Sequence, residues 1–370
     1  MNALYIDFNI RYVNPTRNLL VELNKSIFEK VIIYGPGYTN EDDLKSGILN
    51  FIKRAGPFDY IATNETVFFS SNGQVWGKES LKDLYKSHSV NFPKSNLSKE
   101  IILDITNFLM EYNRKLIIYI LQTDFYNIKT KQIALLKKIN YPIFITFGED
   151  LISKTTELQY LSKEKFYKKA NDNWYNFVKE NSEKIISIPH FLRGSEFSWH
   201  TLENRSNNVV IPGVNYWFRK EIKLISKKNS LYKYNDFLYP LNNLLLRFNI
   251  SFLSSDMGIN FLNNWFKNII SNSKFSFTCG SALRWPLRKF FELPALGTVL
   301  LCYPFKSAEK YGFIDGETCI YINSPEDFNY KIKHLLGDKK TQDKIASNGR
   351  EMVYSKHLIS NRSKKIKSFL

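Results

Sequence analysis

Cysteine is scarce: three residues in 370, Cys279, Cys302 and Cys319. An odd number excludes a fold built on disulfides. Each of the three lies in an apolar stretch, as reduced core thiols do, which predicts a cytoplasmic protein. Long hydrophobic runs are missing as well. Leu116–Leu121 and Thr298–Cys302 are among the longest, far short of the ~20 residues of a membrane-spanning helix. Met1–Phe8 contains Asp7 and reads as a strand rather than a cleavable signal. The five histidines, at positions 88, 190, 200, 334 and 357, have no zinc-like spacing. There is no Asp-x-Asp pair, so no dedicated metal–diphosphate site is expected. The phosphate loop G-x-x-x-x-G-K-[ST], the dinucleotide fingerprint G-x-G-x-x-G and the nucleophile elbow G-x-S-x-G are also absent.

Acidic residues are in short supply. Asp and Glu total 35 against 52 Lys and Arg, a net charge of +17. Such a chain is drawn to polyanions: nucleic acid, an anionic membrane or phosphorylated substrates. A merely Lys-rich surface is the other reading. The lysines are dispersed and the aromatics fall in strands, unlike the clustered pattern of a nucleic-acid binder, so no nucleic-acid partner is expected. The tail stands apart: Lys356, Arg362, Lys364, Lys365 and Lys367 have no acidic neighbour after Glu351.

What the chain has in plenty is material for a core. Hydrophobic residues make up 44% and aromatics 15%, enough to exclude disorder throughout, and 370 residues suggest two domains. Continuous apolar strands alternate with amphipathic helices. Strands are predicted at Ala3–Ile6, Val31–Tyr34, Tyr60–Ala62, Leu116–Leu121, Tyr141–Phe147 and Lys184–Ile188. Helical stripes run over Leu19–Ile27, Leu44–Ile52, Ile101–Met110, Ile133–Ile139 and around Leu158–Val178, with a less regular stretch at Phe68–Pro93. The polar segment Glu203–Asn208 is the expected linker. The cycle restarts with strands at Val209–Ile211, Phe275–Thr278, Val299–Cys302 and Ile320–Ile322, and helices at Phe218–Ser226, Phe261–Ile270 and Leu287–Ala295. Ser324-Pro325-Glu326-Asp327 marks a helix start, with a cap, a proline at the first position and acids in the first turn. This alternation predicts parallel sheets covered on both faces: an α/β chain of two Rossmann-like, doubly wound domains facing a cleft. The boundaries expected are 1–203, 207–345 and a C-terminal helix, 346–370, crossing back to the first domain.

Ligands of such sheets bind at the carboxyl ends of the strands, so functional residues are expected in the turns there. Between Phe275 and Phe305 a strand leads into Cys279-Gly280-Ser281, then Arg284, Arg288 and Lys289, and a helix carrying Glu292. A helix start with basic side chains suits a diphosphate, and a carboxylate one turn inside suits a ribose diol. Glu292 could equally pair with Arg288 at i,i+4. In the first domain Asp124 and His190 follow strands and are the candidate acid/base groups, with Glu65, Glu149 and Asp150 in similar places. His190 could also be a structural hydrogen-bonder.

The segment Lys289-Phe290-Phe291-Glu292-Leu293-Pro294-Ala295-Leu296-Gly297-Thr298 resembles the Arg/Lys-x-Phe-Glu-x-x-Ala-x-Gly-Thr element of GT-B glycosyltransferases of the broad group-1 class. Tyr311–Glu317 is similar to their G-x-x-x-G-E-N stretch, and Ser324–Asp327 to their D-P-E-E/D helix start. The likeness is specific over about residues 275–350. It implies a nucleotide-sugar donor bound by the second domain, with Glu292 on the ribose. Gly213, in the turn after the first strand of that domain, would lie near the diphosphate, with Arg219 on the helix that follows. Gly280, Ser281, Arg284, Arg288 and Lys289 complete the expected donor set. Many retaining members have a second Glu eight residues before the ribose Glu, and here that position is Arg284. The acceptor expected is a glycan or a lipid-linked acceptor in bacterial surface polysaccharide synthesis. No metal or other cofactor is expected, and peripheral contact with an anionic inner membrane would use the tail and the helix with Arg219, Lys220, Lys223, Lys227 and Lys228. A polyanion-binding protein and a sugar-nucleotide epimerase of the same fold are the alternatives.

Overall fold

The computed structural model describes residues 1–9, 18–68, 74–75, 79–80, 98–112, 115–121, 130–146, 173–213, 215, 217–231, 241, 244–245, 248, 255–280 and 286–370. The chain forms two compact units. One comprises Met1–Ile188, Leu241–Ile259 and Ser363–Leu370, the other Pro189–Pro240 and Asn260–Arg362. The division falls at Ile188–Pro189, ahead of the polar segment expected to be a linker.

Six strands make the sheet of the first unit: β1 Asn2–Ile6, β2 Lys30–Tyr34, β3 Tyr60–Asn64, then β6 Leu116–Ile120, β7 Ile143–Thr146 and β8 Ile185–Ile188. Their order is β2-β1-β3-β6-β7-β8, parallel throughout. The chain steps to one side of β1 and then to the other, so the strand order reverses between β1 and β3. Every residue of β3, β6 and β7 is buried, which is why these strands read as unbroken apolar runs. β4 Gln74–Val75 and β5 Glu79–Ser80 form a separate antiparallel pair.

The helices of this unit are α1 Asn18–Ile27, α2 Glu41–Ser46, α3 Ile48–Ala55, α4 Glu65–Phe68, α5 Lys99–Glu111, α6 Thr130–Lys138 and α7 Asn173–Glu180. Helix α1 buries Leu19, Leu20, Leu23 and Ile27, the predicted stripe. The Leu44–Ile52 stripe is two helices rather than one. Gly47, at φ 84°, breaks it, and the Ile48 N–H is capped by the Asp104 carboxylate at 2.8 Å.

The second unit has four parallel strands in the order β12-β11-β10-β9: β9 Asn207–Val210, β10 Ser273–Thr278, β11 Val299–Cys302 and β12 Ile320–Tyr321. Phe275 pairs with Val209 on one side and Val299 on the other. Its helices are α8 Trp217–Lys228, α9 Asp256–Ser271, which begins in the first unit, α10 Lys289–Ala295, α11 Pro325–Gly337, α12 Lys339–Lys356 and α13 Ile359–Lys367, which ends there. Phe218, Ile222, Phe277, Leu301, Phe328, Ile332 and Ile345 share one core. The Ser324 side chain caps α11 as the sequence predicts.

The segment expected to be a linker is folded into this unit. Arg205 is buried and donates to the carbonyls of His200, Ser273 and Leu296. Asn207 already belongs to β9. No helix among the described residues is long and apolar enough to cross a membrane.

Candidate functional site

In the second unit three short stretches meet beyond the carboxyl ends of β9 and β10. They are the turn Ile211-Pro212-Gly213, the pair Cys279-Gly280, and the start of α10. Gly213 has φ 99°, a left-handed conformation that favours glycine. A Cβ there would lie 3.1 Å from Lys289 Cε, 3.2 Å from Arg219 Nη1 and 3.4 Å from Lys289 Nζ. The Gly213 carbonyl accepts from Lys223 Nζ at 3.1 Å.

Arg219 and Lys223, one helical turn apart on α8, thus both face inward. Arg219 is 1% exposed. Its Nη2 donates to Thr278 Oγ1 at 3.1 Å and to the Cys279 carbonyl at 3.3 Å, so the guanidinium is anchored to the end of β10. Burial pushes the Cys279 thiol up, and Arg219 pulls the other way. Three expected donor residues, Gly213, Arg219 and Lys289, are therefore neighbours in space, and Gly280 directly follows Cys279, whose carbonyl accepts from Arg219. Lys223 joins them unannounced. Arg219 Nη1 and Lys289 Nζ lie within ~7 Å of each other, where like charges repel by ~2 kcal/mol at an effective dielectric of about 20. An anion between them reverses that sign.

The first turn of α10 behaves differently from the simple expectation of free N–H groups. Phe290 and Phe291 donate to the carbonyls of Leu287 and Arg288, which tightens the turn and occupies those donors. Positive charge here comes chiefly from side chains.

Arg288 does not add to it freely. Its Nη1 donates to Glu292 Oε1, and its Nη2 to Glu196 Oε1 at 2.6 Å. Glu196 Oε2 in turn accepts the Arg193 N–H at 2.7 Å. Burial works to raise the Glu196 carboxyl, but Arg288 and the Arg193 N–H outweigh it and hold it below its ordinary value. Burial likewise works to lower Arg288, and Glu292 and Glu196 together raise it. The i,i+4 pairing of Arg288 and Glu292 is thus present, with a second carboxylate that lies 92 residues away.

His190 stands beside this group, in the second unit rather than in the first domain as expected. Burial drives its pKa down to about 3, Arg288 and Arg362 push the same way, and the Pro286 carbonyl opposes them. The ring is neutral at pH 7, a weak base but a usable hydrogen-bonding group. Arg362 holds its backbone, donating through Nη2 to the His190 carbonyl at 3.2 Å and through Nε to that of Pro189 at 3.1 Å.

In the first unit, Glu65 is buried and its Oε2 accepts the Leu121 N–H at 3.3 Å. Asp7, at the end of β1, accepts from the Phe8 N–H and from Asn64 Nδ2, at 2.8 and 2.7 Å. Both carboxylates are tied to the sheet edge. Asp124, Glu149, Asp150, Ser281 and Arg284 lie outside the described residues. No three metal-ligating side chains cluster among the described residues.

The basic residues named for membrane contact divide in two. Arg219, Lys223 and Arg362 are buried, and Lys365 is partly buried, donating to the Ser187 carbonyl at 2.6 Å. They are not surface charges. Lys220, Lys227, Lys228, Lys356, Lys364 and Lys367 are exposed.

Residues 258–368 match a family model described as glycosyl transferase-like. No curated protein sequence matches the chain. Among solved structures, Anabaena HepE in complex with UDP and glucose is similar over 100% of this chain and 98% of its own, at 10% identity and TM-score 0.50. A glycosyltransferase from Rickettsia africae is similar over 99% and 97%, at 12% identity and TM-score 0.51. Sucrose-phosphate synthase from Thermosynechococcus elongatus is similar over 100% and 98%, at 11% identity and TM-score 0.51. At these identities the likeness is one of fold, and the fold is GT-B.

Proposed function

We propose that this chain, a GT-B glycosyltransferase in its fold and in its glycosyl transferase-like second unit, moves a sugar from a nucleotide-sugar donor to a glycan or lipid-linked acceptor in bacterial surface polysaccharide synthesis. The observation that carries this reading is the convergence of Arg219, Lys223 and Lys289 on Gly213.

The donor diphosphate sits at Gly213, which has no side chain of its own to hold it away from the cations. Breaking the glycosidic bond leaves negative charge on the diphosphate. Arg219 is already oriented by Thr278 and the Cys279 carbonyl, so it stabilises that charge without reorganising. Lys289 opens α10, and Glu292, three residues on, shares its face of the helix. A ribose next to the diphosphate therefore meets the Glu292 carboxylate. No metal is needed for the leaving group in this scheme. His190, neutral at pH 7, serves as a hydrogen-bonding group, and Asp124 is the candidate general base toward the acceptor hydroxyl. The exposed lysines of α8 and the tail bring the enzyme to an anionic inner membrane face.

Calorimetric titration with ADP, CDP, GDP and UDP tests the donor assignment, and at least one is expected to bind. Failure of all four would overturn it. Mass spectrometry of mixtures with nucleotide-sugars and glycan acceptors distinguishes sugar transfer from epimerisation.

A further inference from the structure

Guanidinium and carboxylate groups commonly meet as two parallel hydrogen bonds. Arg288 does not meet Glu292 that way. It gives Nη1 to Glu292 Oε1 and Nη2 to Glu196 Oε1, and its Nε has no hydrogen-bond partner among the described residues. The side chain is thus shared between two acids. Glu292 keeps its second oxygen, Oε2, without a hydrogen bond to any described residue, on a side chain one-fifth exposed. Glu196 is itself fixed, because its other oxygen accepts the Arg193 N–H within the turn Gly194–Glu196.

We propose that Glu196 is a positioning residue for the donor nucleoside: by holding Arg288 through Nη2, it confines the guanidinium to one oxygen of Glu292 and leaves the other to accept from a vicinal diol. This rests on the donor assignment above. Without Glu196, Nη2 of Arg288 is released. The freed fork of Arg288 then turns to take both oxygens of Glu292, since a planar guanidinium matches a carboxylate two bonds at a time. The diol acceptor is lost although Glu292 itself is unchanged.

The test compares the tightest-binding of ADP, CDP, GDP and UDP with its 2′,3′-dideoxy counterpart by calorimetry. In the unaltered protein, loss of the diol is expected to weaken binding about tenfold or more, as for a charge-assisted hydrogen bond. In Glu196→Gln that ratio should fall below about threefold, while affinity for inorganic pyrophosphate stays the same. Glu196→Asp keeps the charge and is one methylene too short to span both partners, so it should lose the ratio too and carries the test if the Gln variant does not fold. Adding Arg288→Gln to Glu196→Gln removes the competitor and should restore the ratio. A diol ratio unchanged in the folded Glu196 variants would overturn the proposal. Failure of the unaltered protein to bind any of the four nucleotides would instead overturn the donor assignment beneath it.

Discussion

His357 Nε2 lies 2.8 Å from the Tyr311 carbonyl oxygen, so the ring proton sits on Nε2 and Nδ1 accepts from Arg362 Nη2. The tautomer is set by its neighbours. Arg362 is set in turn, since its remaining donors reach the carbonyls of Pro189, His190 and Lys356. One imidazole thus orients the arginine that holds His190 in place.

That relationship makes stability depend on pH. Burial first, then Arg362 and Lys356, push His357 down to about 3, against the opposing Tyr311 carbonyl. An unfolded histidine titrates near 6.5. Between those values the unfolded chain binds more protons than the folded one. Stability is therefore full above pH ~6.5 and falls as pH drops toward 3, by about 1.4 kcal/mol per pH unit for this residue. Urea midpoints at pH 7, 6 and 5 should decline in that order. The slope should be smaller in His357→Gln, with His190 supplying part of what remains. A midpoint constant from pH 7 to 5 would contradict this.

Lys289→Ala should weaken nucleoside diphosphate binding by ~1.5–3 kcal/mol, the worth of a charge-assisted hydrogen bond. Its melting temperature should hardly move, because the side chain is only partly buried. Arg219→Ala is the contrasting case. Its guanidinium bonds Thr278 and the Cys279 carbonyl in the core, so its removal should show first in the melting curve. Equal affinity for Lys289→Ala and the unaltered protein would take Lys289 out of the site.

Gly213→Ala should lose both stability and affinity. A side chain at φ 99° costs ~1–2 kcal/mol, and the new methyl would press on Lys289 and Arg219. Gly316→Ala is the control. Gly316 has φ 74° but nothing within 4 Å of its would-be Cβ, so strain is present without crowding. Matched melting temperatures with affinity lost only in Gly213→Ala would assign the effect to the site. Equal nucleotide affinity in the two variants would refute it.

Membrane attraction should depend on Lys220, Lys227 and Lys228, which α8 turns outward. Each exposed lysine near an anionic bilayer contributes ~1 kcal/mol. Co-sedimentation is expected with anionic vesicles, not neutral ones, and should fade as salt rises. Replacing the three lysines by glutamate should leave the protein in the supernatant. Recovery in the supernatant with both vesicle types at low salt would remove the membrane from the proposal.

The sheets were legible because buried parallel strands leave unbroken apolar runs. Val299–Cys302 is placed to the residue, and Leu116–Ile120 is only one residue shorter than predicted. The Leu44–Ile52 stripe misled because the break at Gly47 is secured by Asp104, far along the chain. In the site, Lys289 could be named because it opens a helix after a strand, and Gly213 and Arg219 through the resemblance to GT-B sequences. Lys223 could have been found from its spacing, four residues after Arg219 on the same face. Glu196 could not, since its meaning lies in Arg288. Its local trace is only the Arg193-to-Glu196 spacing of a short turn. The depressed pKa of His190 was equally hidden, because its burial and the approach of Arg288 and Arg362 are both set by distant segments.

The path of the chain has a consequence for recombination. The first unit is assembled from three separate stretches, and the last of them is Ser363–Leu370. Phe369 packs edge-on to Phe144, their ring centroids 6.3 Å apart, and the Leu370 carbonyl accepts from the Tyr60 hydroxyl at 2.9 Å. A single crossover after Ile188, importing everything downstream from a homologue, would therefore bring in foreign versions of both later stretches, Leu241–Ile259 and Ser363–Leu370, for the native first unit. Exchange of the second unit then calls for residues 241–259 and 363–370 to travel with their own amino-terminal half, a constraint that shuffled libraries can be built to respect.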